Sequence, residues 1–396
     1  MGETALTRRF TDSRAWLPML ALVAGVFAVY LLTRNADNPY EQYVLLTDAF
    51  LHGRLHLIDP PSFLEVAAFD GRSYVIDPPA PTLFLLPVVA IFGTGADHVL
   101  VSAGVGALAM GFLWSAARRL WPDQRFALAM TLLVAFGTNF WWAASDGRFW
   151  SFAHVSAVFF LCAGLAEAVG RRRPWLVGLC VGLAGLSRLP VFVLAPLYAY
   201  LVLDGDLRIR RRTIERFAWF AGVVGLAAGA YIAYNLARYG TVTDAGYYHP
   251  QYTSEPWFQR GRFDLTYIPR HIHAIFFEAP HRVAEFPYFK PSFIGLALIF
   301  TTPALLFAFR ARINPRNIVA FGALVLTAIP LVTHGTTGWA QFGYRFSLDV
   351  IPPLLLLTAS GMREHLTGRR IAVLALCGLV NLWGVLSFNI FDWVAS

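Results

Sequence analysis

Long apolar runs separated by short arginine-rich segments dominate the sequence. A run of about 20 apolar residues is long enough to cross the hydrocarbon core of a membrane as a helix. The run at 174–203 is too long for one span, and Arg188 and Pro190 lie at its middle. We therefore predict two short helices that meet at 187–190, because proline interrupts a helix. The pattern predicts about eleven spans, at 15–33, 98–117, 124–144, 149–169, 174–203 (two), 217–237, 292–309, 317–334, 346–360 and 371–391.

The composition agrees with a membrane protein and excludes several other classes. Of the 396 residues, 57% are hydrophobic and 14% are charged, whereas a soluble chain carries about 25% charged residues. A soluble enzyme, a disordered protein and a disulfide scaffold are therefore excluded. The predicted fold is all-α: a polytopic integral membrane protein with one transmembrane domain over 1–396 and no separate soluble domain.

The basic residues predict the orientation of the chain. The net charge is +8, and Lys290 is the only lysine among the 32 basic residues. Most of the arginines fall in short segments between predicted spans, and the positive-inside rule places such segments in the cytoplasm. The charge is thus assigned to cytoplasmic loops and not to nucleic-acid binding. We expect a multi-pass protein of the cell membrane with a cytoplasmic N-terminus, and with the loops 34–97, 238–291 and 335–345 on the outer, active face.

The first outer loop begins with a predicted amphipathic juxtamembrane helix over 39–52. Asn38 is a favoured N-cap residue and Pro39 suits the first helical position. The apolar face would hold Tyr40, Tyr43, Val44, Leu46, Phe50 and Leu51, and the polar face Glu41, Asp48 and His52. A helix with this pattern is expected to lie flat on the outer leaflet.

Acidic residues in and beside this helix are candidates for a general base. Asp37 lies at the exit of the first span, and Asp48 lies on the polar face. A carboxylate held against a hydrophobic wall is well placed to take a proton. Glu41 is a third candidate, and helix capping is the alternative role for it. For the other two, the alternative is a solvated surface position.

Several short motifs, taken in order, resemble the GT-C superfamily of membrane glycosyltransferases, which take sugars from polyprenyl-phosphate donors. The resemblance includes the protein mannosyltransferases and the aminoarabinose transferases of lipid A. The motifs are an acidic residue just past the first span, the sequence 50–55, the Pro-Pro pair at 78–79 before the apolar stretch 81–92, and the sequences 136–138, 182–188, 234–240 and 341–345. The stretch 81–92 is too short to cross a membrane, so we expect it to be interfacial or re-entrant.

The resemblance implies an activity and a base. A single sugar would pass from a polyprenyl-phosphate-linked donor to a lipid, glycan or protein acceptor, without a nucleotide. The family's base is an acidic residue of the first outer loop, for which Asp37 is the nearest positional match. The family often has two adjacent acidic residues there, whereas Asn38 follows here. An inactive homologue therefore stays an alternative.

Two arginines are candidates for binding the donor phosphate. Arg345 lies in the short outer loop and Arg188 at the broken run, and a guanidinium binds phosphate in bidentate fashion. The alternatives are ion pairs of Arg345 with Asp349, or of Arg188 with Asp146 or Asp349. The residues expected to line a substrate cavity are His52, Asp77, Asp146, His154, Tyr234, Asn235, Tyr247 and Gln341.

Neither a metal site nor a cofactor is predicted. His271 and His273 are two residues apart, which on a helix point in different directions, and no third ligand has a standard spacing. A divalent cation at the acidic first outer loop stays an open alternative. The expected partners are the lipid-linked donor, its acceptor and membrane lipids. The rival function is a transporter or a lipid or glycolipid flippase, which would also place ionisable groups within its spans.

Overall fold

The computed structural model describes residues 16–36, 38–250 and 254–395. The α-helices in that part of the chain are α1 (Leu17–Leu32), α2 (Gln42–Leu51), α3 (Thr82–Phe92), α4 (His98–Leu120), α5 (Gln124–Phe136), α6 (Phe140–Asp146), α7 (Phe149–Ala168), α8 (Pro174–Gly185), α9 (Ala195–Val202), α10 (Arg211–Tyr239), α11 (Ile268–Phe276), α12 (Leu298–Thr301), α13 (Pro315–Val332), α14 (Ile351–Gly361) and α15 (Gly368–Asn389). The strands are β1 (Val66–Phe69), β2 (Arg72–Val75), β3 (His281–Arg282) and β4 (Phe289–Lys290). Short 3-10 helices cover Gly93–Gly95, Leu189–Leu194, Pro256–Phe258, Leu265–Tyr267, Pro303–Arg310 and Arg345–Val350.

Five of the described helices are long and apolar enough to cross a membrane, namely α4, α7, α10, α13 and α15. The pair α5 and α6, bent by 50°, forms a sixth candidate. These helices make the chain a multi-pass membrane protein, as the apolar runs predicted. The helices α1, α3 and α8 are apolar but shorter, so the total of about eleven spans stays a prediction.

The break predicted inside 174–203 is confirmed. Helix α8 ends at Gly185, and a 3-10 helix begins at Leu189 before α9 continues the chain. Arg188 lies between them in an extended conformation, with φ −149° and ψ 106°. Arg188 is therefore part of neither helix, and no helical neighbours one turn away restrain its side chain.

The segment 292–309, which is a predicted span, is not one continuous helix. Helix α12 makes about one turn, and the 3-10 helix Pro303–Arg310 follows. Pro303 explains the interruption, since a proline disfavours the helical conformation of the residue before it. Thr302 accordingly has φ −141° and ψ 67°.

The span predicted at 346–360 is also only partly α-helical. It opens with the 3-10 helix Arg345–Val350, and α14 then carries Pro352 and Pro353 in its first turn. Prolines are tolerated there because the first N–H groups of a helix have no partner within it. The 3-10 helix turns several polar side chains toward the interior of the bundle.

Helix α2 differs in its start and in its surroundings from the predicted helix. Asn38 does not cap it: its Oδ1 accepts a hydrogen bond from the N–H of Tyr40 (3.0 Å), and its Nδ2 donates to the carbonyl of Asp146 (2.8 Å). The polar residues Gln42 and Thr47 are buried along with the apolar face. Protein therefore encloses α2 on more than its apolar face.

A β-hairpin in the first outer loop was not predicted, so the all-α expectation is wrong in this detail. Strands β1 and β2 are antiparallel, with Val66 opposite Val75. Asp70 and Gly71 form the turn with φ +47° and +71°, as a two-residue hairpin of this kind requires. The Asp-Gly pair is the sequence signal that predicts such a turn.

The second outer loop folds back onto the loop that follows α13. His271 of α11 donates from Nε2 to the carbonyl of His334 (2.8 Å), so its Nδ1 accepts the hydrogen bond from the Tyr344 hydroxyl (2.8 Å). Phe263 pairs with His334 in an isolated β-bridge. The two outer loops thus form one layer over the polar interior.

Candidate functional site

The β1–β2 hairpin brings two carboxylates close together at its open end. Glu65 directly precedes β1, and Asp77 follows β2 by two residues. Because Val66 pairs with Val75, both chain segments leave the hairpin at the same place. The carbonyl of Pro78 then accepts a hydrogen bond from the Tyr43 hydroxyl (3.2 Å), which ties this segment to α2.

Asp77 and Glu65 belong to a group of side chains that act on one another electrostatically, together with Arg188, Arg345 and Tyr247, and this group is called the recess. Neither carboxylate forms an ion pair with the described residues. Both side chains are accessible to solvent, yet protein surrounds them closely. The loss of hydration raises the pKa of Asp77 to about 6 and that of Glu65 to about 7. Arg188 opposes the rise at Asp77, and Arg345 opposes it at both carboxylates.

Arg345 faces the same recess from the short outer loop. It follows Gly343, whose φ of +69° allows the chain to turn sharply. Its Nη1 donates to the carbonyl of Trp339 (3.0 Å), and its guanidinium lies over the rings of Trp150 (5.6 Å) and Phe346 (5.5 Å). Within the described chain no carboxylate lies within ion-pair distance of Arg345. Loss of hydration and the nearby positive charge of a second arginine lower the pKa of Arg345 to about 10, so that it stays charged at neutral pH.

Arg188 belongs to a buried triad with Asp349 and His154. Arg188 donates from Nη2 to Oδ2 of Asp349 (3.2 Å), and His154 donates from Nδ1 to Oδ1 of the same carboxylate (2.7 Å). The guanidinium of Arg188 lies over the ring of Phe346 at 5.5 Å. The guanidinium of Arg345 lies at the same distance from this ring, so both arginines contact Phe346.

Tyr247 closes the recess from the second outer loop. Its hydroxyl forms a hydrogen bond with Nε2 of His334 (2.7 Å). Arg262 lies between Tyr247 and Phe258, with its guanidinium 4.4 Å from each ring centroid. Burial raises the pKa of Tyr247 to about 12, Arg262 and Arg188 oppose the rise, and Asp77 adds to it. Tyr247 therefore shares the electrostatic environment of the recess rather than that of a lipid-facing aromatic belt.

Asp146, another predicted cavity residue, is buried and makes contacts within the protein. It is buried at the turn between α6 and α7, where its carboxylate accepts hydrogen bonds from Ser151 (2.8 Å) and pairs with Nε of Arg148 (3.2 Å). Arg148 also donates to the carbonyl of Ala340 (3.2 Å). These contacts join the α6–α7 turn to the loop that carries Arg345.

Gln341 is likewise enclosed within its own loop. Its Nε2 donates to the carbonyls of Ile294 and Thr337 (2.9 Å each), and the side chain is fully buried. Its Oε1 accepts from the N–H of Arg345 (3.4 Å). Gln341 is placed to hold the loop in shape rather than to face a substrate.

Tyr234 and Asn235 contact the buried Arg238 at the C-terminal end of α10. Arg238 donates to Oδ1 of Asn235 and to the carbonyl of Val75 (2.7 Å each), and it lies 3.9 Å above the ring of Tyr234. The cluster fastens α10 to β2. It thus supports the hairpin that positions Asp77.

The residues predicted around α2 lie apart from these contacts. Asp48 pairs with Arg54 and with His52, both at 3.4 Å, and the structure gives neither Asp48 nor His52 a contact with the arginines of the recess. Glu41 is half-buried at the start of α2, and the loss of hydration raises its pKa. Asp37 lies outside the described residues.

Sequence reasoning missed Glu65, Arg262 and His334 as members of the site. Glu65 is one of several acidic residues in a long loop, and only the hairpin register brings it to Asp77. Arg262 and His334 meet because the two outer loops fold together: the N–H of Gly335 donates to the carbonyl of Arg262 (2.8 Å). No local pattern signals either relationship.

An apolar cavity of about 500 Å³ is lined by Phe346, the residue whose ring both arginines contact. Helices α11, α12, α13 and α14 and the 3-10 helices Pro303–Arg310 and Arg345–Val350 form its walls. Its lining residues include Tyr344, Phe346, Arg312 and Asn317. Phe346 therefore contributes to both the apolar cavity and the arginine cluster.

No group of three or more His, Cys, Asp or Glu side chains in the described ranges is arranged to hold a metal ion. Asp77 and Glu65 are two carboxylates of the first outer loop near each other. A cation bound there would need further ligands from outside the described side chains or from a substrate.

Comparison with known proteins identifies the fold. No protein-family model and no curated protein sequence matches the chain. The crystal structure of ArnT from Cupriavidus metallidurans bound to undecaprenyl phosphate is similar over 95% of this chain and 70% of that chain, with 17% identity and a TM-score of 0.55. The apo oligosaccharyltransferase of Archaeoglobus fulgidus is similar over 96% of this chain and 56% of that chain, with 15% identity and a TM-score of 0.46. ArnT is a GT-C membrane glycosyltransferase, and the chain therefore has the GT-C fold, as the resemblance in its motifs implied.

Proposed function

We propose that the protein is a glycosyltransferase that moves a single sugar from a polyprenyl-phosphate donor to an acceptor at the outer face of the membrane. The observation that carries this proposal is the position of Phe346. Its ring supports the guanidinium groups of Arg188 and Arg345, each 5.5 Å from the centroid, and it also lines the apolar cavity. A ligand with an anionic head and a long apolar tail fits this arrangement.

The donor phosphate would bind between the two arginines. Arg345 has no carboxylate partner in the described chain, so an anion would neutralise a charge that the protein itself leaves uncompensated. The polyprenyl tail would enter the apolar cavity, where its burial is favourable by the hydrophobic effect. ArnT, whose fold this chain has, was crystallised with undecaprenyl phosphate, which supports a lipid phosphate as the ligand.

Asp77 is the preferred general base of this proposal. The acceptor hydroxyl would attack the anomeric carbon of the sugar, and its proton would pass to the Asp77 carboxylate. The bond between that carbon and the phosphate oxygen would break, and the electron pair would leave on the phosphate. Arg345 and Arg188 would stabilise the charge that develops there.

The base candidates near α2, namely Asp37, Glu41 and Asp48, are less favoured in this proposal than Asp77. Asp48 already pairs with Arg54, and this ion pair makes its carboxylate less able to accept a proton from the acceptor hydroxyl. Asp37 and Glu41 stay candidates, with no described contact to either arginine of the recess. Asp77 meets the requirements for a base more fully, because it is accessible, forms no ion pair with the described residues and lies within the electrostatic influence of Arg188.

Binding of undecaprenyl phosphate to the purified full-length protein tests the proposal. Arg345→Lys keeps the charge but loses the bidentate fork, and we expect it to raise the Kd about tenfold, the effect of losing one hydrogen bond to a charged group. Arg282→Lys in the exposed strand β3 is the matched control, and its Kd should equal that of the wild type. The same Kd for all three proteins, or no binding to the wild type, would refute the donor site.

A further inference from the structure

We infer that His154 and Asp349 are positioning residues that orient Arg188 toward the donor phosphate, an inference that rests on the function proposed above. Neither residue would touch the ligand itself. Their contacts with each other and with Arg188 would determine the direction in which the guanidinium points.

The hydrogen-bond chemistry of the triad defines the role of each side chain. The carboxylate of Asp349 can only accept hydrogen bonds, so His154 must carry its hydrogen on Nδ1. Oδ1 of Asp349 receives that hydrogen at 2.7 Å and also faces Nε of Arg188 at 3.4 Å, while Oδ2 receives Nη2 of Arg188 at 3.2 Å. The Asp349 carboxylate is thus held by two residues: Oδ1 contacts both His154 and Arg188, and Oδ2 contacts Arg188.

The exposure of the three side chains shows which of them can reach a ligand. The side chains of His154 and Asp349 are 0% exposed, whereas that of Arg188 is 17% exposed. Asp349 accepts hydrogen bonds from Nε and Nη2 of the guanidinium, whereas Nη1 has no hydrogen bond with the described residues. Of the three residues, only Arg188 can therefore contact a phosphate, and the other two act through it.

His154 is the element that makes this arrangement more than an ion pair. A salt bridge between Arg188 and Asp349 needs no third member. Without His154, the carboxylate could rotate about its last side-chain bond, and the guanidinium would follow it. Because Arg188 lies at the break after α8, where the backbone is extended, no helix supplies that restraint instead.

A double-mutant cycle on the full-length protein, with undecaprenyl phosphate in detergent micelles as the probe, tests the inference. We expect His154→Leu to raise the Kd about tenfold, the effect of losing one hydrogen bond to a charged group. His154→Asn should keep most of the affinity, since its amide N–H can take the place of Nδ1–H. In the Arg188→Lys background, His154→Leu should change the Kd by less than about twofold, because coupled residues are not additive.

The chain offers a matched control for the loss of a buried histidine. His98, at the start of α4, is also buried and its Nε2 also has no hydrogen-bond partner in the described chain. We expect His98→Leu to leave the Kd unchanged, whatever its effect on the melting temperature. Should His154→Leu fail to fold, His154→Gln serves in its place, because its longer amide misses the position of Nδ1 but preserves a polar group.

Each outcome decides the inference. Additive effects of His154→Leu and Arg188→Lys would overturn it, because His154 would then act by another route. An unchanged Kd with a lowered melting temperature would reduce the triad to a structural role and leave the proposed function standing. Absence of binding to the wild type would overturn the proposed function and this inference together.

Discussion

Arg188 and Asp349, which are 161 residues apart in the sequence, form a salt bridge with Nη2 and Oδ2 at 3.2 Å. Asp349 lies one helical turn after Arg345, and a local pair between those two was the alternative that sequence spacing suggested. The fold instead gives the carboxylate to Arg188. Arg345 is left with backbone and aromatic contacts, so the excess positive charge of the recess is centred on Arg345.

Replacement of Asp77 should abolish most of the transferase activity. We expect Asp77→Asn to lower turnover by about 100-fold or more, as the loss of a general base does. The melting temperature should not fall, because Asp77 forms no ion pair with described residues and its raised pKa means that the ionised carboxylate does not stabilise the fold. Asp59→Asn, an exposed carboxylate of the same loop, is the control, and Asp48→Asn tests the competing candidate. Full activity of Asp77→Asn, with a loss in Asp48→Asn, would move the base to α2.

The activity should also depend on pH in a defined direction. A general base works in its unprotonated form, and the pKa of Asp77 is raised to about 6. Turnover should therefore rise with pH through a midpoint near 6 and fall as the pH decreases below it. The pH profile of turnover at saturating donor measures this midpoint. A midpoint near the ordinary value of 3.8 for an aspartate would contradict the assignment.

Glu65 should destabilise the fold at high pH. Its pKa is raised from 4.5 in the unfolded reference to about 7 in the folded protein, so folding favours the protonated form. Its contribution to stability is fully present below pH 4.5 and is lost as the pH rises through 7. We expect Glu65→Gln to melt at a higher temperature than the wild type at pH 8 and at the same temperature at pH 4.5. Melting curves at the two pH values, with equal shifts at both, would argue against a raised pKa.

The buried pair of Asp146 and Arg148 should contribute far more to stability than an exposed pair. The side chains of this pair are 0% and 17% exposed, whereas those of Arg34 and Asp97, which also pair, are 35% and 45% exposed. Removal of one partner from a buried pair costs about 3–5 kcal/mol, while exposed pairs are worth about 0–1 kcal/mol. Arg148→Met should therefore lower the free energy of unfolding much more than Arg34→Met. Equal losses in urea titrations of the two variants would refute the structural role of the pair.

The outer placement of the hairpin can be tested by labelling from outside the cell. Arg72, in β2, is exposed, and the native residues Cys162, Cys180 and Cys377 are buried. We expect the cysteine of an Arg72→Cys variant to react with a membrane-impermeant maleimide in intact cells. Reaction only after permeabilisation would reverse the predicted orientation and move the recess to the cytoplasmic face.

Local properties of the sequence predicted the membrane architecture and the break at Arg188. These properties are the apolar runs, the clustering of arginine between them and the position of Pro190. Each depends on residues close together in the sequence, so it can be recognised without the fold. The sequence also proposed Arg188 and Arg345 as donor-phosphate residues and Asp77, His154 and Tyr247 as cavity residues, but the side chain of His154 is fully buried against Asp349. The two arginines stack on one phenylalanine ring.

Two predictions from local sequence rules, a continuous helix over 292–309 and Asn38 as a helix cap, differ from the structure. The hydropathy of 292–309 is that of a span, but Pro303 limits the helix. Asn38 is a favoured N-cap residue, but its side chain instead bonds to Tyr40 and to the carbonyl of Asp146. In the second case a distant backbone group competes for the side chain that would cap the helix.

The sequence by itself thus determined that the chain crosses the membrane repeatedly, that the run at 174–203 breaks near Arg188 and which of its charges are unusual. Only the tertiary structure decided that Asp349 pairs with Arg188 and His154, that Glu65 lies near Asp77, and that Arg345 keeps no carboxylate in the described chain. The physical reason is that hydropathy and proline act along the chain, whereas a buried charge is stabilised by whichever partner the packing of distant helices and loops brings within hydrogen-bond distance.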